Sequence, residues 1–295
     1  MVSRNKTGQV VLNIIFILLT AAAVAPFLLL VSSSLTSEAS LVREGYCFVP
    51  HEFDLGAYTY LFKSGAKILR GYGITILVTV MGTTLSVLLT TLFAYPLSRK
   101  EMPFRYGFSF FVFFTMLFNG GLVPTYMMWT QVFHIKNTIF ALLLPSLLMN
   151  AFYIIMMRSF FTSNIPDALV EAARIDGAGE YRILYRIVLP LSKPMMATIS
   201  LMVGLGYWND WMNSLYYVSD EKMFSIQAIL NTIITNIQFL MSSSSTASSG
   251  MDVSTLPSVG IRMAIAVIGV VPVLCIYPFF QKYFVKGIVV GGVKG

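Results

Sequence analysis

The chain has 295 residues, of which 56% are apolar and 11% charged, with a mean hydropathy of +0.75 and a net charge of +7. A soluble domain of this size needs more charge to cover its surface, so the composition excludes one and places the chain in a bilayer. Continuously apolar runs such as Val11–Leu19 and Ile139–Leu144 lack the alternation of a membrane β-barrel, which leaves helices as the spanning element.

A hydrocarbon core about 30 Å thick takes about 20 apolar residues per helix. Six spans are predicted, at 10–31, 72–98, 107–129, 138–157, 195–218 and 259–281, giving an all-α polytopic protein with one transmembrane domain over 1–295. The first span follows Arg4 and Lys6, and its Ala21-Ala22-Ala23 looks like a signal-peptide cleavage region. Its apolar character continues to Val31, so the segment reads as an uncleaved signal anchor. With both termini cytoplasmic, thirteen of the twenty Lys and Arg residues fall inside, as basic flanks require. The excess positive charge then lies against anionic lipid headgroups and gives no ground for nucleic acid binding. Cys47 and Cys275 fall in different compartments on this topology, which argues against a disulfide.

The first external loop, 32–71, carries Tyr46, Phe48, Phe53, Tyr58 and Phe62, aromatics that either pack a small cap or meet a protein partner. Short turns are expected inside near 99–106 and outside near 130–137. Asn119-Gly120-Gly121 with Pro124 interrupts the third span near its outer end. Free backbone groups there either line a cavity or mark the membrane boundary, and the boundary is favoured.

The long internal loop, 158–194, is too polar to span. Leu169, Ala172, Ala173 and Ile175, then Ile183, Leu184, Ile187 and Leu189, recur at near-helical spacing, which predicts two short amphipathic helices. Gly177, followed by Gly179, sits where the backbone must turn and where only glycine takes a positive φ without steric cost. Pro190 and Pro194 are expected to end the second helix and start the next span. Such a pair is either a rigid knob for a partner or a hairpin resting on lipid.

In the fifth span, Trp208, Asn209, Asp210, Trp211 and Asn213 combine flat apolar rings with amide and carboxylate groups. That chemistry suits stacking on sugar rings and bonding their hydroxyls, and an intramembrane carboxylate usually faces a bundle interior or a wet cavity. The plain alternatives are an interfacial aromatic belt and a polar clamp between helices. In the second external loop, 219–258, the Ser-rich stretch Met241–Thr255 is expected to be mobile unless a partner holds it. The tail, 282–295, ends in Gly291, Gly292, Val293, Lys294 and Gly295, which by default is a frayed terminus.

Rival classes find little support. His51 and His134 have no metal-ligand companion at useful spacing and no nucleophile–base pair is recognisable, which speaks against an enzyme. Buried ionisable pairs, filter-like sequences and inverted repeats, the marks of secondary transporters and channels, are not visible. No G-x-x-x-x-G-K-[ST] phosphate loop occurs, so ATP and Mg would have to be bound by another subunit.

Glu171-Ala172-Ala173, then Gly177, Ile187, Leu189 and Pro190, fill the spacing of the "EAA" loop, and the chain resembles the permeases of bacterial ATP-binding-cassette importers. Asn119–Tyr126, Ile183–Pro194, Tyr207–Asn213 and Gly291–Gly295 bring the resemblance closest to the carbohydrate-uptake, maltose-permease-like branch serving complex oligosaccharides. It implies a multi-pass subunit of the bacterial cytoplasmic membrane that forms half of a pathway with a second homologous permease. Two ATPase subunits and an extracellular sugar-binding protein would complete the importer. It further implies that Glu171, Ala172, Ala173, Asp176, Gly177, Ile187, Leu189 and Pro190 meet the ATPase, and that the Gly291–Gly295 tail reaches between the two ATPase subunits. A permease for a non-sugar solute is the alternative within the same superfamily, and a secondary transporter the more distant one.

Overall fold

The computed structural model describes all residues except 1–5, 64, 146, 244–257 and 292–295, with backbone alone for 6–7, 240–243, 258 and 282–291. Helices dominate, and among the described residues the sole β pairing is an isolated bridge between Thr36 and Phe53. Among the described residues, three helices are long and apolar enough to cross a membrane: Gly8–Ser34, Gly65–Ser98 and Val259–Gln281. Two bent pairs pass the same test jointly, Arg105–Leu117 with Leu122–Val132 at 112° and Glu180–Leu191 with Lys193–Trp208 at 80°.

Residues up to Ile68 form one compact unit with Leu230–Pro272. It contains α1 (Lys6–Ser34), α2 (Glu38–Glu44), α3 (Gly56–Lys63), the greater part of α14 (Ile226–Ser243) and the first part of α15 (Ser258–Gly291). The stretch between α1 and α4 is therefore folded, with two short helices of its own. Ser37 caps α2 by accepting from the Ser40 N–H at 3.3 Å, and the Ser34 and Tyr58 hydroxyls meet at 2.9 Å. Both oxygens of Glu38 accept N–H groups at the start of α15, from Val259 and Gly260 at 3.0 Å each. These N–H groups have no partner within their own helix, and the positive helix end favours a carboxylate. Tyr46, Phe48, Phe53 and Phe62 remain exposed.

Leu69–Ile229 with Val273 onward forms the second unit. It holds most of α4 (Gly65–Ser98), then α5 (Arg105–Leu117), α6 (Leu122–Met127), α7 (Phe140–Leu143), α8 (Ala151–Asn164), α9 (Asp167–Ile175), α10 (Glu180–Ile183), α11 (Leu189–Leu191), α12 (Lys193–Trp208) and α13 (Met212–Tyr217). α4 is about 50 Å long at 1.5 Å per residue and begins seven residues before the predicted span.

The third predicted span, 107–129, is interrupted at Asn119-Gly120-Gly121 as expected: α5 stops at Leu117, and Gly121 adopts φ +87° with its N–H bonded to Asn119 Oδ1 at 2.9 Å. Two other predicted spans are not continuous helices. The fourth, 138–157, is not one helix. Pro145 lacks an N–H and its ring would strike a carbonyl one turn back, so α7 stops at Leu143 and α8 starts at Ala151, capped by Asn150. The carbonyls freed at this break find side-chain donors: Tyr207 Oη bonds Leu143 O at 2.8 Å and Asn213 Nδ2 bonds Pro145 O at 3.1 Å. The fifth, 195–218, splits at Asn209–Trp211 into α12 and α13.

The described part of the predicted loop 219–258 is largely helical. Ile226, Ile229, Leu230, Ile233, Ile234 and Ile237 recur at helical spacing and form α14. The remainder of the Ser-rich stretch, 244–255, and Gly292, Val293, Lys294 and Gly295 of the tail lie outside the described residues, while Gly291 is the last residue of α15.

α4 and α12 approach closely where Gly82 faces the fully buried ring of Tyr207, so a Cβ at position 82 would fall inside that ring's van der Waals envelope. Overpacking of this kind costs about 1–3 kcal/mol. Gly82→Val is therefore expected to lower the thermal midpoint of the detergent-solubilised protein clearly, and Gly82→Ala to lower it less. An unchanged melting curve for Gly82→Val would contradict this packing.

Candidate functional site: the hairpin at 165–191

The loop 158–194 folds as two short helical stretches, as its periodicity predicts. α9 ends in a Schellman motif: the Gly177 N–H bonds Arg174 O at 3.0 Å, the Ala178 N–H bonds Ala173 O at 2.9 Å, and Gly177 takes φ +76°. Satisfying these last carbonyls requires a left-handed residue at that position, which glycine occupies without a steric penalty. Gly179, by contrast, is extended at φ −72° and leads into α10.

The second helix closes at Leu191, one residue after Pro190, and α12 starts at Lys193 with Pro194 in its first turn, as expected. Residues Leu184–Val188 widen into a π turn, and the helix continues through Leu189–Leu191. A π turn moves a carbonyl out of the way of a proline ring and satisfies backbone groups by a longer step. The chain then bends by 80° into α12.

The apolar side of the hairpin belongs to the core of the bundle. Ile165, Val170, Ile183, Leu184 and Val188 are buried in the same cluster as Tyr95, Leu97, Met157 and Phe161, with Ala173, Ile187 and Leu189 packed against it. The opposite side is exposed: Glu171, Ala172, Asp176, Gly177 and Pro190 lie at the surface, and Ile175 is 87% exposed. The residues singled out by spacing thus divide into an anchoring set, Ala173, Ile187 and Leu189, and a presented set.

A polar cluster that sequence spacing does not reveal ties the hairpin to the end of α4. Tyr95 Oη donates to Glu180 Oε2 at 2.6 Å, and Arg174 Nε donates to Glu180 Oε1 at 2.9 Å. Arg174 Nη1 lies 3.4 Å from Glu101 Oε1, and Lys100 Nζ lies 2.7 Å from Asp167 Oδ2. The Arg99 guanidinium sits 4.8 Å from the centre of the Tyr95 ring, and Arg158 Nε donates to Leu97 O at 3.0 Å. A cavity of about 610 Å³ opens beside the cluster, lined in part by Tyr95, Arg99, Glu101, Arg174, Glu180 and Tyr181.

The proposed pathway residues are mostly engaged within the second unit. Asp210 Oδ1 accepts the N–H groups of Met212 and Asn213 at 3.1 and 3.2 Å, so it caps the start of α13. Asn213 is the buried clamp on Pro145, Asn209 bonds back to Leu205 O, and Trp211 is half-buried. Trp208 is buried, 6.2 Å from the Tyr72 ring, and borders a cavity of about 300 Å³ with Thr79, Thr83 and Ser200. Among the described residues, no group of three or more His, Cys, Asp or Glu is placed to hold a metal ion.

The hydrogen bond from Tyr95, together with Arg174, holds the Glu180 carboxyl below its ordinary range, and Lys100 does the same for Asp167. A depressed carboxylate contributes stability above its unfolded pKa and loses it as pH falls through the folded value. The Glu180 and Asp167 pairings are therefore expected to persist from neutral pH down to the ordinary carboxylate range near pH 4 and to be lost only below, read as a carboxyl-carbon NMR titration. Loss beginning near pH 6 would contradict the pairing.

Residues 102–290 match the family described as binding-protein-dependent transport system inner membrane component. Protein LplC of Bacillus subtilis (strain 168) is 38% identical over 99% of this chain and 97% of its own length. The polygalacturonan/rhamnogalacturonan transport system permease protein YtcP of the same strain is 36% identical over 99% of this chain and 100% of its own length. The crystal structure of a bacterial ABC transporter involved in the import of the acidic polysaccharide alginate contains a chain that superposes with a TM-score of 0.77. That chain is 29% identical, and the match covers 96% of this chain and 99% of the other. With the family match extending over well over half of its length, the chain belongs to the inner membrane components of binding-protein-dependent transport systems.

Proposed function

We propose that this chain is one of two transmembrane subunits of an ATP-driven importer of oligosaccharides in a bacterial cytoplasmic membrane. The reading is carried by one observation: a hairpin rooted in the helix core presents Glu171, Ala172, Ile175 and Asp176 outward on a turn fixed by Gly177. Its buried side is occupied by the bundle, so it has less apolar surface to offer lipid than a free interfacial hairpin. A rigid outward knob is what a permease without its own nucleotide site needs in order to receive force.

The importer is completed by a second permease, two ATPase subunits holding ATP and Mg, and an external sugar-binding protein. Six crossings with both termini inside accommodate the fold, several of them made by broken helices. The contacts between the 99–101 turn and the hairpin, and those of Asn137 with Tyr217 and Ser219, are compatible with that alternation. The Gly291–Gly295 tail is assigned to the ATPase interface by its likeness to the maltose-type permeases. Oligosaccharide as the cargo is supported by the polysaccharide transport ascribed to YtcP and to the alginate importer. ATP binding closes the motor subunits, the hairpin follows, and the bundle switches the side to which its pathway opens.

Forcing a β-branched residue into the left-handed position costs about 1–2 kcal/mol and misdirects the turn. Gly177→Val in the assembled complex is expected to retain ATPase activity while sugar uptake into proteoliposomes falls severalfold. Unchanged uptake would count against a coupling role. Asp210→Asn keeps the cap acceptor and removes the charge, so a loss of uptake with unchanged thermal stability would place that carboxylate on the pathway. Normal uptake would leave it a cap alone.

A further inference from the structure

We infer that Tyr95, Arg174 and Glu180 form a latch that makes the coupling hairpin and the loop-side end of α4 one moving body, so that α4 is driven directly by the motor stroke. This rests on the reading of the hairpin as the coupling element and names the span that receives its displacement.

The contacts converge on one place. Glu180 opens α10, and its two carboxylate oxygens are divided between two elements: Oε2 accepts from Tyr95, which lies in the last turn of α4, and Oε1 accepts from Arg174 near the end of α9. Arg174 in turn reaches Glu101 in the turn that follows α4. A single carboxylate thus joins both arms of the hairpin to a helix 85 residues earlier in the sequence. Arg174 closes the ring with its planar fork, a geometry that a lysine cannot reproduce.

A second tie, from Lys100 to Asp167, holds the other end of α9 to the same turn. Two ties at opposite ends of a nine-residue helix fix its direction as well as its position. The contacts are largely exposed, and exposed ion pairs add little to stability. Their value is geometric. Tyr95 itself is buried, with its ring edge-on to Phe161 of α8 at 6.5 Å, so the latch ends on a side chain that cannot swing away. The cavity lined by Tyr95 of α4 and by the hairpin's own Leu184 leaves room for the two elements to shift against one another. The polar ring removes that freedom.

The test uses the complete importer in proteoliposomes, reading sugar moved per ATP hydrolysed. Glu180→Gln is expected to lower this ratio about 2- to 30-fold, the usual span of coupling effects, with ATPase activity retained. Tyr95→Phe keeps the buried ring and removes only the hydroxyl, and it is expected to lower the ratio less. Lys100→Cys with Asp167→Cys, in a Cys47→Ser/Cys275→Ser background, is then bridged by a short reducible bismaleimide. If hairpin and α4 move together, the bridge is tolerated in an otherwise unaltered chain and restores the ratio in Glu180→Gln. A bridge that stops uptake until it is reduced, a bridge that fails to restore Glu180→Gln, or unchanged ratios in Glu180→Gln and Tyr95→Phe would each overturn the latch. Gly177→Val run in parallel separates the two readings. If it uncouples while the latch variants do not, the latch alone fails; if it too is without effect, the coupling role of the hairpin fails.

Discussion

The hairpin at 165–191 is held by one act of burial. Val170, Ile183, Leu184 and Val188, residues of a loop too polar to span, are sealed in the same cluster as Tyr95, Met157 and Phe161 of the bundle. Fully burying a branched aliphatic side chain is worth about 1.5–3 kcal/mol, so four of them supply a strong hold on a short hairpin. The motif residues can then face outward without losing their position. A loop held only by its two ends would bend when pushed, whereas one sharing the core passes a push on.

The second constraint is the backbone accounting of broken helices. Interruptions near Leu117, Leu143 and Trp208 expose carbonyls and N–H groups that hydrocarbon cannot satisfy. The fold answers with side chains placed one break against another. Tyr207 and Asn213, on either side of the α12–α13 break, donate to the carbonyls of Leu143 and Pro145, while Asp210 caps α13 within its own break. The polar residues near Trp208 thereby acquire a structural role as a clamp between elements, the plainer of the readings that their chemistry permits. Trp208 keeps a position at a cavity edge with Thr79, Thr83 and Ser200.

The sequence makes the all-helical class, the hairpin and the turn at Gly177 legible because each rests on local rules: apolar runs, 3.6-residue spacing and the need for a positive φ. The break in the fourth span was legible too, since Pro145 stands in the middle of 138–157, but hydropathy averaging over twenty residues conceals a single proline. The α14 pattern from Ile226 to Ile237 was equally present and was obscured by its position in a presumed loop. Near Pro190 the signal holds to within one residue: the helix closes at Leu191, after a five-residue π turn that accommodates the ring. The cluster around Glu180 had no sequence signature at all. Its partners at 95, 101 and 174 carry no shared spacing, and they meet only when α4 and the hairpin pack on one core.

The central claim is that the exposed edge of α9 is the surface that a separate ATPase grips. A photo-crosslinking residue in place of Ile175, which is 87% exposed, tests it in membranes containing the assembled complex. The account predicts an adduct to the ATPase subunit whose yield changes when ATP is trapped by vanadate. An adduct to lipid alone, or to the external binding protein, would contradict it.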